Sequence, residues 1–168
     1  MRTITWEDPR GAAEAGRSMS GLEYLQKIVA GELPRPPIGV LMDFDITELS
    51  EGRAVFVVEP AEYHYNPIGV VHGGLAATLL DSAMGAAVIT TLDEATGCST
   101  ATMTVHYTRP INARTVKVLA EGWVVHRGSR LVTTEGRLSD EQGRLLAHGS
   151  ATLALSERAA PSERSSPG

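Results

Sequence analysis

A chain of 168 residues and 17.9 kDa can bury one substantial core but is too short for two full-sized domains, so any site is single or shared between copies. Its 42% hydrophobic and 21% charged residues are those of an ordinary globular protein. A net charge of −5 excludes the broad basic footprint that nucleic acid requires, and one cysteine, Cys98, excludes an intrachain disulfide and multi-cysteine metal motifs and points to a reducing compartment.

Residues 1–20 are polar and lack convincing periodicity, so a flexible tail is expected there. Trp6, Glu7, Asp8, Arg10 and Glu14 stand where a secretory signal needs its apolar run, which makes the cytoplasm the default location. The domain proper is expected over 21–155. Leu22, Leu25, Ile28 and Val29 recur at helical spacing, and Gly31 with Pro34, Pro36 and Pro37 stops a short lead-in helix. Ile38 to Leu49 and Arg53 to Glu59 read as two strands around the turn Ser50-Glu51-Gly52.

Asn66-Pro67-Ile68-Gly69 forms a loop, and after His72-Gly73-Gly74 the chain switches to helix formers. From Leu75 to Leu92 the one charged side chain is Asp81, and apolar residues occupy every side. Such a helix is buried around most of its circumference, yet it is too short and too interrupted to span a membrane. Four strands follow, Ser99 to Arg109, Thr115 to His126, Ser129 to Leu138 and Arg144 to Leu155, joined through Pro110, Arg127-Gly128 and Asp140-Glu141-Gln142-Gly143. Residues 156–168 read as a second flexible tail. The class is therefore α+β, a curved antiparallel sheet around one long central helix, with further copies covering what one sheet leaves open.

Asn66-Pro67-Ile68-Gly69-Val70-Val71-His72-Gly73-Gly74-Leu75, followed by Thr78-Leu79-Leu80-Asp81-Ser82-Ala83-Met84-Gly85, resembles the signature of the phenylacetate-degradation (PaaI-like) family of hotdog-fold thioesterases. The similarity runs from about Ile38 to Leu155 and includes Tyr107-Thr108-Arg109-Pro110. The resemblance implies a hotdog fold, hydrolysis of acyl- or aryl-CoA thioesters, a homotetramer built as a dimer of dimers, and no metal or redox cofactor. It also implies roles for single residues. Gly73 would be the backbone oxyanion donor, Asp81 the nucleophile or general base, Asn66 an orienting amide and His72 a loop-shaping neighbour. Thr100 would position water, though a slip of one residue would give that role to Ser99.

The residues themselves bear on those roles. A helix start offers unpaired N–H groups with partial positive charge, and a glycine there admits a carbonyl oxygen to the backbone; the plainer reading is that Gly73 and Gly74 only turn the chain into the helix. Asp81 lies eight residues on, roughly 12 Å along the axis, too far to reach back to its own helix start. Two such helices packed antiparallel would bring the Asp of one to the Gly of the other. An acid in an apolar helix is costly unless paired, which favours a functional role over a satisfied structural carboxylate.

His72 lies about half a turn around the helix from Asp81 and cannot form a same-chain dyad with it. His64, His106, His126 and His148 show no metal-ligand spacing, and no Gly-x-Ser-x-Gly elbow is present. For the polyanionic coenzyme A, the hairpin Arg127-Gly128-Ser129-Arg130 and Arg109 are the candidate contacts, with solvated charges as the alternative for each. A non-catalytic acyl-CoA-binding hotdog module is the rival function, and aryl and aliphatic acyl groups both stay open.

Overall fold

The computed structural model describes residues 3–157. In chain order these form α1 (Pro9–Ala15), α2 (Gly21–Val29), α3 (Pro37–Met42), β1 (Phe44–Ser50), β2 (Arg53–Val58), α4 (Gly73–Ile89), β3 (Thr96–Tyr107), β4 (Val118–Arg127), β5 (Leu131–Asp140) and β6 (Leu145–Glu157). The strands make one antiparallel sheet in the order β1-β2-β4-β5-β6-β3. α4 lies across it, packed against β4, β2, β5 and β3. This is the expected hotdog arrangement.

The core follows from α4 being apolar on all sides. Leu75, Leu79, Leu80, Ala83, Met84 and Val88 are buried on it and meet Val58, Val118, Ala120, Val132 and Leu138 from the sheet. Helix and sheet approach so closely that a Cβ on Gly122 would stand 2.4 Å from the Ala83 carbonyl carbon. On the open side of α4, α2 contributes Leu25 and Ile28. Ser20 caps α2 by accepting the Glu23 N–H at 3.3 Å, and Gly31 at φ 75° ends it, as expected from the sequence.

Two local readings change. Ile38 to Met42 was expected as the start of a strand but is helix α3: Pro37 stands in its first turn with φ already set for a helix, and Asp43, left-handed at φ 57°, ends it before the chain extends into β1. Helical structure also lies within the N-terminal segment, where Asp8 caps α1 by accepting the Arg10 N–H and Ala12 is buried. At the other end Ser156 and Glu157 continue β6, and the remainder of the expected C-terminal tail lies outside the described residues. Among the described residues no helix is long and apolar enough to cross a membrane.

Candidate active site

The loop entering α4 is built by short-range polar contacts. Asn66 Oδ1 accepts the Ile68 N–H at 3.0 Å, the Asn66 N–H donates to Val70 O at 2.9 Å, and Gly69 takes the positive φ of 79° that closes the turn. The His72 N–H donates to His64 O at 2.8 Å. His72 is the N-cap of α4, its Nδ1 accepting the Gly74 N–H at 2.8 Å, so the neutral ring carries its proton on Nε2. That cap occupies the Gly74 donor, while the Gly73 N–H meets no acceptor among the described residues. Gly73 therefore keeps a donor at the positive end of a helix dipole.

Tyr107 covers this helix start. Its hydroxyl donates to Gly73 O at 3.2 Å, and a Cβ on Gly73 would stand 3.2 Å from its ring. The Tyr107-Thr108-Arg109-Pro110 stretch gives no hint of this role in the sequence, because a contact across 34 residues has no local periodicity to reveal it.

Asp81 is partly buried midway along α4 and accepts the Thr100 hydroxyl at 2.9 Å on Oδ1. Of Ser99 and Thr100, Thr100 makes this bond. The reason is a bulge: Thr100 pairs with Leu153 and Thr102 with Thr152, leaving Ala101 as an extra residue. Cys98 and Thr100 thus share the face toward α4, and beyond the bulge Met103 and Val105 take it over.

Gly73 and Asp81 open onto different cavities. Asp81, Ser99 and Thr100 line a large one of about 900 Å³ bounded by α2 and the N-terminal segment. Gly73 lines a smaller one of about 280 Å³ with Tyr107, Arg109 and Ile111. The eight-residue separation along one rigid helix is roughly 12 Å, and the two cavities share no lining residue.

The arginines divide in the same way. Arg109 belongs to the Gly73 end, lining the smaller cavity and donating from Nη1 to Leu145 O at 2.8 Å. Arg127 donates to Thr91 O, just past the opposite end of α4. Within the β4–β5 hairpin the Gly128 N–H is taken by Leu131 O at 2.9 Å and Arg130 O accepts from the Leu155 N–H, while the Ser129 and Arg130 side chains face solvent. The hairpin therefore keeps the Gly128 N–H for its own turn, while the Ser129 and Arg130 N–H groups meet no acceptor among the described residues and stand beside the guanidinium groups.

With this geometry in place, the comparisons with known proteins agree on one family. The Thioesterase superfamily pattern matches residues 68–147. Acyl-coenzyme A thioesterase 13 of Homo sapiens, and likewise that of Pongo abelii, is 30% identical over 117 residues, 69% of this chain and 82% of the relative. Among solved structures, the phenylacetic acid degradation-related protein of Ralstonia eutropha JMP134 is similar with a TM-score of 0.71 at 26% identity, over 78% of this chain and 98% of that one. The chain belongs to the thioesterase superfamily and is a thioester hydrolase of the hotdog fold.

Proposed function

We propose that this enzyme hydrolyses an acyl-CoA thioester to the free acid and coenzyme A, with Asp81 of one protomer acting on a thioester held at the Gly73 helix start of a second copy. The observation that carries this reading is the separation of the two groups along one helix: carboxylate and Thr100 on the large cavity, Gly73 with its open donor on the small one. Acyl-CoA is the substrate class named in the relatives at 30% identity. The Gly73 N–H would bind the carbonyl oxygen as negative charge grows on it. The Asp81 carboxylate would either take a proton from a water that attacks the carbonyl carbon and pass it to the thiolate as the C–S bond breaks, or attack the carbon itself and expel the thiolate. The second route forms an acyl anhydride that a water then hydrolyses to the free acid, the water's proton going to the thiolate. Asn66 and His72 hold the loop, and Arg109 with Arg127, Ser129 and Arg130 would meet the coenzyme A phosphates.

An assembly follows from the same reading. β3 ends the sheet with twelve residues and one edge unpaired among the described residues, an edge that proteins cover, and a dimer of dimers in the cytoplasm is the state we propose. The test is coenzyme A release from a panel of aryl and aliphatic acyl-CoA thioesters. Activity on some member, cut about 100-fold or more in a folded, assembled Asp81→Asn enzyme, supports the role. Acyl-CoA binding without hydrolysis anywhere on the panel contradicts it.

A further inference from the structure

Gly85 stands four residues after Asp81, one turn further along the same face of α4, and lines the same large cavity. Most glycines in contact with α4 have a packing reason. A Cβ on Gly21 would stand 1.9 Å from Ile89 O, one on Gly122 2.4 Å from Ala83, and one on Gly136 3.1 Å from Met84 Cγ. At Gly85 a Cβ would meet nothing within 4 Å, and its φ is not positive. Glycine inside a helix costs about 1 kcal/mol relative to alanine, so neither packing nor backbone conformation accounts for it.

What its missing side chain does is leave the space beside Asp81 open. From Gly85 the cavity passes Ile89 toward Ile28 and Val29 of α2, with Phe44 and Phe56 on the sheet side and Trp6 of the N-terminal segment on its wall. Its charged lining besides Asp81 is Glu7 and the Arg35–Asp45 ion pair at 2.7 Å, whose members neutralise each other. An uncharged chain suits such walls. At roughly 30 Å³ per group, the share a water takes in the liquid, a chain of about fourteen carbons fills about half of the 900 Å³, whereas an aryl group the size of phenylacetyl fills about a quarter.

We infer that the large cavity is the subsite for an aliphatic acyl chain, that Gly85 admits the chain past Asp81, and that Trp6 and α2 form the wall that sets its length. The inference rests on the acyl-CoA reading above and adds what that reading leaves open, the acyl class and its determinants. The residues concerned lie outside the loop that binds the thioester carbonyl.

The experiment is kcat/KM along a series from acetyl- to tetradecanoyl-CoA, with phenylacetyl-CoA alongside, for wild type, Gly85→Leu, Gly85→Ala and Trp6→Ala, with sedimentation of each. Wild type is expected to gain about four-fold per added methylene over part of the series and to prefer its best aliphatic substrate to phenylacetyl-CoA. Gly85→Leu is expected to cost decanoyl-CoA about 30-fold more than it costs acetyl-CoA, Gly85→Ala to shift the same ratio less, and Trp6→Ala to alter only the longest chains. Should the leucine variant fail to fold, the alanine variant, whose Cβ meets nothing, carries the same ratio. A flat profile in an active wild type, or equal losses at every chain length, overturns the subsite while sparing the hydrolase. Altered assembly in the Gly85 variants overturns it too, because the gap would then belong to contact between copies. No coenzyme A release from any thioester instead overturns the acyl-CoA reading on which the inference stands.

Discussion

Thr100 and His72 each make one contact whose loss has a defined consequence. Thr100→Val removes the hydroxyl on Asp81 Oδ1; a hydrogen bond to a charged group contributes about 1.5–3 kcal/mol, so kcat should fall about 10- to 100-fold with the fold intact, while Ser99→Ala should stay within about two-fold on the same scale. Steady-state kinetics of the two variants decides between the neighbours that the sequence left interchangeable. His72→Ala removes the cap on Gly74 and should lower stability by about 1 kcal/mol, read from denaturant midpoints; His72→Asn, able to cap, should restore most of it. Asn66, His72, Gly73 and Asp81 could be nominated together because they fall within one short stretch of sequence, and the Thr100 hydroxyl on Asp81 could be anticipated only to within one residue. Tyr107 over Gly73 and the vacancy at Gly85 were not, since both depend on what lies across space rather than along the chain.

Among the elements, α4 and the strands around it were readable because an all-round apolar helix and runs of strand with turn chemistry between them allow few arrangements, whereas the order in the sheet, with β3 beside β6 rather than β4, leaves no local signal. α3 was not: five apolar residues after two prolines fit a strand as well as one helical turn, and the left-handed Asp43 leaves no local signal. The β3 bulge at Ala101 likewise breaks the alternation on which strand reading depends. The close contact of α4 with β4 predicts that Gly122→Ala, which drives a Cβ into the Ala83 backbone, costs about 3 kcal/mol or more, visible as a lowered Tm. The β5–β6 hairpin makes a pH prediction. Burial pushes the Asp140 carboxyl up, but the Arg144 and Gln142 N–H groups and the Arg144 guanidinium at 2.6 Å outweigh it and hold the group below its usual range. A depressed folded-state pKa stabilises above the unfolded value of about 3.9, and that stability is lost as pH falls from there through the folded value. Asp140→Asn should therefore lower Tm at pH 7 and flatten its decline below about pH 4.

On the scale of the whole molecule, the central claim is that one protomer holds only half of each site. α4 is too rigid and too long to bring its own Asp81 to its own Gly73, and the cavities they face are separate. The most direct test is to co-assemble Asp81→Asn with Gly73→Val, after showing that each alone is assembled and inactive. With a shared site, mixed dimers contain one doubly altered and one intact site, so an equal mixture should recover about a quarter of wild-type activity. No recovery from mixtures shown to contain mixed dimers would mean that Asp81 and Gly73 serve the reaction within one chain, and would contradict the account.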